Sequence, residues 1–476
     1  MSSRNTSSGT PRRRSRLPFI FLLLATVAGA LGAAGWFVGP RLESVAPQVV
    51  ITPEGEAVGQ APLQVQVSDG GTGLRSVTVT LSQGDTEHKI AADELVQPLR
   101  AKTYTVALAK VPGIKEGPAV LKVAARDAAL WRGNQTVVER RLTLDLTPPT
   151  LQLVADDRYV NFGGVGVLVY KTSADTVRTG VQFGTRFFPG FAGQVRGHPD
   201  HWLVLFAHAY DVPADARPKL VAADAAGNSR ELAVRYELKN VNYRKSTLPL
   251  SERFVRDKVA PLLADATLRQ GAPRDVFVAV NRGLRKDNEE KIAALTRQAA
   301  PPMLWRSAFV QLSNSKVEAN FADERTYTWN GEPIDTAYHL GYDLSVTKAY
   351  PVEAANAGTV VFAGDLGIYG GTVIIDHGLG LFTLYSHLSA IEVQVGATLA
   401  KKQILGKTGQ TGLAAGDHLH YGVYLSGVAV LPVEWWDAQW LEDNLAPKLE
   451  GRAGEEVGAA PAKSKAQRKV GGKKRR

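Results

Sequence analysis

Apolar and polar residues alternate along this chain in three distinct rhythms. From Leu17 to Gly39 the sequence LPFIFLLLATVAGALGAAGWFVG is almost wholly apolar. A helix needs roughly 20 such residues to cross a bilayer, so the run is long enough for one span. Between residues 46 and 146 the segments LQVQVSD, SVTVTLS, YTVALAK and VLKVAARD place apolar residues at every second position. That is the period of half-buried strands, and several of them separated by turns such as DGGTG predict a β-sandwich. Residues 147–240 repeat the unit. VAARDAALWRGN followed by VVERRLTLD is answered by VAADAAGN followed by ELAVRYEL, with Asp127 and Asp224 in matching places. Residues 241–302 change to helical spacing in SERFVRDKVAPLLADATL and APRDVFVAVNRGLRKDNEEKIAALTRQA. Ser251 and Asp275 are the start signals there, with Pro273 just before the latter. From 303 to 446 strands are expected near YPVEAANAGTVVFAG, TVIIDHG, LFTLYSHL and HLHYGVYL. This predicts a compact antiparallel β domain whose core is closed by Trp435, Trp436 and Trp440. The expected fold class is therefore mainly β: an N-terminal transmembrane helix, two β-sandwiches, a short helical segment and a C-terminal antiparallel β domain.

Composition adds most at the two ends. A chain of 476 residues is too long for one core, and two to four domains are expected. The net charge of +10 is concentrated outside the folded body. Arg12, Arg13, Arg14 and Arg16 precede the apolar run, and no acidic residue comes before Glu43. Eight of the last fourteen residues are Lys or Arg. Charge in the tails argues against a nucleic-acid interface, and no nucleic-acid partner is expected. Residues 1–16 read as a cytoplasmic basic tail and 17–39 as a single-pass anchor in the cytoplasmic membrane. The basic flank stays inside, so all that follows lies in the periplasm or outside the cell. Ala28-Gly-Ala30 offers the competing reading of a cleaved signal peptide; the apolar run continues past it, which favours a retained anchor. Residues 447–476 hold too few apolar side chains to offset the entropy of ordering, so a disordered basic tail is expected. Its functional reading is attachment to anionic wall polymer or lipid headgroups. The chain has no Cys, which excludes disulfides and a lipoprotein anchor and leaves any zinc to His and carboxylate.

Five of the nine histidines lie between His339 and His420. Four of them occur in three fragments, HLGYD with His339 and Asp343, YSHL with His387, and GDHLH with His418 and His420; the fifth is His377. Zinc takes His nitrogen and carboxylate oxygen, and a catalytic site keeps three protein ligands and one open position. On a straight strand His339 and Asp343 would stand ~13 Å apart, too far for two bonds of ~2 Å to one ion. A bend permitted by Gly341 is therefore expected between His339 and the strand carrying Asp343. His418 and His420, two apart, point from one strand face, so one can bind metal while the other stands beside the water. The plain reading of His387 is a loop histidine packed on Tyr385. A second group, His198, Asp200, His201 and His208 in GHPDHWLVLFAH, reads as a loop leading into a strand.

These fragments carry a resemblance. HLGYDL, VIIDHGLGLFTLYSHLS, VGATLAKKQILGKTGQTG, GDHLHYGVYLSG and LPVEWWD, within residues 303–446, resemble the lysostaphin/LytM-type zinc metallopeptidases, which cut peptide bonds in peptidoglycan. The resemblance implies one zinc ion (Zn2+) held by His339, Asp343 and His420, with His387 and His418 as catalytic histidines. His377 is not among the family's ligands and is expected to be structural. Tyr327 and Tyr342 are candidates for an oxyanion-stabilising tyrosine that some members have. Relatives that serve as non-catalytic modules, binding peptidoglycan or activating a partner hydrolase, typically lack several of the five positions; all five are filled here. Residues 46–146 and 147–240 resemble bacterial immunoglobulin-like modules, with Thr147-Pro-Pro as their joint, in a sandwich of ~100 residues.

Overall fold

A computed structural model describes residues 17–39, 42, 44–130 and 132–452. The expected basic tail at 1–16 and the end of the chain from 453 lie outside the described residues. Leu17–Val38 is one α-helix, and its stretch Phe21–Val38 is long and apolar enough to cross a membrane. The chain is mainly β and divides into two compact units, one reaching to Pro148 with Ala225–Asn228, the other Pro149–Asp224 with the rest.

In the first unit the predicted alternation becomes two sheets. One orders the strands Gln48–Thr52, Leu63–Ser68 and Ala101–Val106; the other is five-stranded with Leu74–Gln83 and Gly117–Asp127 at its centre. Val65 and Val67 from the first sheet and Val77, Val79, Leu121 and Val123 from the second are fully buried in one core. YTVALAK is strand only to Val106, and Leu108–Lys110 is a 3-10 turn. Asp127 ends its strand buried, accepting N–H bonds from Ala129 and Asn134.

The second unit begins with another pair of four-stranded sheets, which meet through Val167, Leu203 and Leu205 on one side and Val181, Phe188 and Leu220 on the other. Asp224, like Asp127, is buried at a strand end. The sheet that follows is the scaffold of the histidines. It is antiparallel, in the order Lys316–Ala319, Tyr342–Ser345, Leu419–Leu425, Leu381–Leu388, Gly371–Asp376, Gly358–Asp365 and Thr398–Leu399, with Val428–Val430 paired to Leu419–Leu425. Its side chains alternate between two cores. Val373, Ile375, Tyr385 and Val423 face Trp435 and Phe309. Ile374, Phe382, Leu384 and Tyr424 face Val255, Val259, Phe277 and Ile292 of the helical segment. Burial on both faces explains why Leu381–Leu388 is buried at every residue.

Residues 241–302 are tied into this unit. Lys245–Pro249 is a strand parallel to Asp323–Trp329. Ser251 caps the helix Glu252–Phe254 through a bond from the Phe254 N–H to its Oγ. Asp275 is not a cap: Ala272 holds that place, Pro273 takes the first helical position, and Asp275 sits in the first turn, where a negative charge favours the helix dipole.

Disorder was expected from 447 onward, yet Ala446–Leu449 is helical and Lys448 is buried. Its ammonium pairs with buried Asp157 of the preceding sandwich and bonds the Asn444 carbonyl. Lys448 falls within the tail expected at 447–476, but a buried carboxylate almost 300 residues earlier gives it a partner. Lys448→Met should cost about 3–5 kcal/mol, because Asp157 is left buried and unpaired. The melting temperature should fall by roughly 10 °C, and Asp157→Asn in the same chain should recover most of it; no recovery would show that packing, not charge, is lost.

Glu434 is the neighbouring buried carboxyl. It accepts bonds from Asn161 Nδ2 (2.7 Å) and the Val165 N–H (2.9 Å). Burial pushes its pKa up to about 8 against the pull of those donors. Between the usual carboxyl range and pH 8 the folded chain thus holds a proton that the unfolded chain has released. The stability this contributes is complete at acid pH and is lost as pH rises through 8. Glu434→Gln cannot titrate, so the wild type should lose melting temperature relative to it between pH 5 and 9. A constant difference over that range would contradict the assignment.

Candidate metal and catalytic site

Leu419–Leu425 lies between Tyr342–Ser345 and Leu381–Leu388, in a register that sets both Asp343 and Ser386 opposite His420. His339 ends the strand Glu332–His339, the chain turns at Leu340-Gly341, and Tyr342–Ser345 carries Asp343. The expected bend is there, but His339 belongs to the strand before it. Gly341 is needed for space: a Cβ there would stand 2.7 Å from His420 Nε2 and 2.6 Å from the Tyr421 carbonyl oxygen.

Three side chains meet at this point. His339 Nε2 is 2.9 Å from Asp343 Oδ1 and 2.9 Å from His420 Nδ1, and His420 Nδ1 is 3.0 Å from Asp343 Oδ1. A triangle with such edges fits one ion at bond lengths of ~2 Å. The tautomers fit as well. His339 Nδ1 faces the Asn320 carbonyl at 2.8 Å; a carbonyl only accepts, so Nδ1 carries the proton and Nε2 turns its lone pair to the centre. Asp343 Oδ2 accepts from Arg325 Nη2 at 3.2 Å, leaving Oδ1 for the triangle. The donor set of two imidazoles and one carboxylate, with His339 and Asp343 held from behind, suits zinc.

The other two histidines stand beside the triangle. His418 Nε2 is 3.4 Å from Asp343 Oδ1, and its Nδ1 is fixed by the Gly416 carbonyl at 2.8 Å. His418 and His420 thus both face Asp343, as their spacing predicted. His387 Nδ1 is fixed by the Thr411 carbonyl at 2.8 Å, and its ring lies 4.8 Å from that of His418. His387 does not pack on Tyr385, whose hydroxyl bonds the Ala355 N–H in the other core. Regular alternation would put both on one face, but His387 has φ +63°. A non-glycine residue in that region costs of order 1–3 kcal/mol, and such residues cluster at functional sites.

Charge is uneven across the cluster. Burial opposes ionisation of Asp343, but the surrounding imidazoles, His339 first, hold its carboxyl well below the usual range. Burial lowers His387 to about 3 and His420 to about 4. His418 is also pulled down by burial, yet the Asp343 carboxylate outweighs this and raises it.

These groups open onto a cleft of about 430 Å³. Leu248, Phe254, Phe277 and Arg285 of the helical segment form one of its walls. Tyr327 also lines it, its ring 4.7 Å from that of Phe277, whereas Tyr342 packs on Trp436 and does not reach the cleft. His377 is fully buried between the Ala357 carbonyl and the Thr383 hydroxyl, a structural position. Sequence reasoning missed Arg325 and the carbonyls of Asn320, Thr411 and Gly416. Backbone carbonyls carry no residue signature, and Arg325 meets Asp343 only through tertiary folding.

The other histidine group does come partly together. His198, Asp200 and His201 are close enough to share an ion. However, the Lys171 ammonium already occupies the second oxygen of Asp200 at 3.0 Å, and His201 bonds the first. His208 lies apart, buried and bonded to the Tyr236 hydroxyl.

Residues 337–432 match peptidase family M23. DD-carboxypeptidase/endopeptidase Mpg of Neisseria meningitidis serogroup B is 39% identical over 95 residues, 20% of this chain and 22% of that protein. Peptidoglycan DD-endopeptidase ShyA of Vibrio cholerae is 32% identical over 117 residues, 24% of this chain and 26% of that protein. Stage II sporulation protein Q of Bacillus subtilis is 34% identical over 101 residues, 20% of this chain and 36% of that protein. The chain thus spans well under half the length of these curated relatives. Among solved structures, a putative peptidase M23 from Pseudomonas aeruginosa aligns over 58% of this chain and 94% of its own, at 20% identity and a TM-score of 0.38. The catalytic domain of lysostaphin from Staphylococcus simulans aligns over 28% of this chain and 98% of its own, at 25% identity and a TM-score of 0.24. The stretch that gathers His339, Asp343, His387, His418 and His420 is the stretch that matches, and residues 337–432 are a peptidase family M23 domain of the LytM/lysostaphin type.

Proposed function

We propose that this protein is a membrane-anchored zinc endopeptidase that hydrolyses peptide bonds in peptidoglycan cross-links or stem peptides. The carrying observation is the triangle of His339 Nε2, Asp343 Oδ1 and His420 Nδ1, with two further histidines beside it. His339, Asp343 and His420 are the zinc ligands. Zinc held there supplies Lewis-acid polarisation of the scissile carbonyl and a water made nucleophilic near neutral pH. His387 and His418 divide the proton work. With Nδ1 fixed by a carbonyl, each offers Nε2. One accepts the water's proton and returns it to the leaving amine as the C–N bond breaks; the other steadies the developing oxyanion.

The N-terminal helix supports anchoring in the cytoplasmic membrane, with residues 1–16 inside and the peptidase domain in the periplasm or outside the cell. A reporter that works only after export, fused behind residue 452, reads that orientation; activity of a cytoplasm-only reporter would overturn it. The basic tail adds an electrostatic hold on anionic wall polymer or lipid, and the two preceding sandwiches are immunoglobulin-like modules in this reading.

The relative named only for sporulation favours a second reading, a module that binds peptidoglycan or activates a partner hydrolase without cutting. The complete set of five site residues favours the enzyme. The test is incubation of the purified protein with isolated sacculi. Soluble wall peptides should be released, release should stop with a chelator and return with zinc. Sedimentation with sacculi and no release would favour the binding module.

A further inference from the structure

The helix that begins at Pro273 does not run straight past the cleft. Pro273–Ala279 is α-helical, Val280–Leu284 is a π-helical turn, and Arg285–Leu295 is α-helical again. A π-turn shifts the register of every side chain after it, and such turns recur at functional sites. Here the shift is held by bonds rather than left loose. Asn281, buried in the turn, donates from Nδ2 to Asp335 Oδ2 (2.9 Å) and to the Thr336 carbonyl (3.2 Å). Its Oδ1 accepts from Arg285 Nε at 2.9 Å. One turn later, buried Asn288 accepts from the Ile368 N–H at 2.8 Å. This wall is therefore fastened on both sides of Arg285, to the strand Glu332–His339 and to the turn Gly367–Tyr369, and it brings Arg285 to the cleft that also holds the histidines.

The charge of Arg285 is unanswered. Among the described residues no carboxylate lies within ion-pair distance of it. Arg282, three residues earlier, takes Asp335. Arg325, the other guanidinium of the cleft, is engaged by Asp343, and Glu318 is engaged by Lys316. Glu289, one turn on, feels the charge of Arg285 without pairing, and burial raises its own pKa toward the neutral form. With Nε bound to Asn281, the outer edge of the guanidinium keeps its N–H groups in the fork that matches a carboxylate. Leu248, Phe254 and Phe277, which line the same cleft, are apolar, which strengthens a charge-assisted bond made there.

We propose that Arg285 is a specificity-determining residue that receives a carboxylate of the peptide substrate. The proposal rests on the peptidase reading for what enters the cleft, but not for how it is tested. Two carboxylates can supply this chemistry, the C-terminal α-carboxylate of a stem peptide or a side-chain carboxylate within it. The probes are a cross-linked muropeptide with both groups free, one with the α-carboxyl amidated and one with the side-chain carboxyl amidated. Binding is measured by calorimetry on the full-length chain in detergent, in a His418→Ala background so that the probe survives, with Arg285, Arg285→Ala and Arg285→Lys compared.

The unsubstituted Arg285 background should bind the free acid at least roughly 10-fold more tightly than one of the two amides, the scale of one lost charge-assisted hydrogen bond. Which amide weakens identifies the carboxylate. Arg285→Ala should abolish the preference while binding that amide as well as its parent does, and Arg285→Lys should restore part of the preference. Equal binding of all three probes by the parent, or an equal loss on acid and amides in Arg285→Ala, would overturn the proposal and leave Arg285 a packing residue. Cutting of the free-acid probe by wild-type protein is read separately, so failure of the peptidase reading is not confused with failure of this one.

Discussion

His420→Ala should strip the protein of most of its zinc and end wall-peptide release altogether. His420 Nδ1 closes two of the three edges of the donor triangle. Without it His339 and Asp343 remain, and two protein ligands are too few for a site that needs three and an open position. The loss reaches stability as well, since metal held by the folded chain alone adds its binding energy to folding. Wild type loaded with zinc should therefore melt higher than wild type with chelator, while His420→Ala should show almost no difference. Metal analysis and paired melts check this. A variant that keeps stoichiometric zinc would place the ion elsewhere.

His418→Ala carries the second large effect and separates ligand from catalyst within one dipeptide step. The His418 ring is not part of the triangle; its Nε2 reaches Asp343 Oδ1 at 3.4 Å from the side. Zinc should stay near stoichiometric and the fold intact, while hydrolysis falls by roughly 10²–10⁴-fold, the usual scale for an acid–base group. His387→Ala should behave alike in activity, because its Nδ1 is committed to the Thr411 carbonyl and only Nε2 is left for chemistry. Loss of zinc from His418→Ala with retention in His420→Ala would reverse the assignment.

Much of this was legible before any coordinates. LFTLYSHL and HLHYGVYL read as strands, and the two-residue spacing put His418 and His420 on one face. What stayed hidden was set by contacts between distant segments. Gly341 reads as a bend residue, whereas it is required by the ring of His420, 79 residues later. His387 leaves the face that alternation assigns it because its own φ is positive, and a histidine carries no mark of that. Lys448 reads as the start of a charged tail, but Asp157 is its partner. Helical spacing announced a helical segment at 241–302, yet neither the π-turn at Val280–Leu284 nor the placing of Arg285 at the cleft follows from periodicity.

The central claim is that this cluster hydrolyses an amide bond in the wall. The most direct test is mass analysis of a purified cross-linked muropeptide after incubation with zinc-loaded wild type and with zinc-loaded His418→Ala at equal metal content. The account predicts two products from the wild type whose masses sum to the substrate plus one water, with a new amine on one of them, and almost none from the variant. Intact muropeptide after incubation with zinc-loaded wild type, or equal cleavage by both proteins, would contradict it.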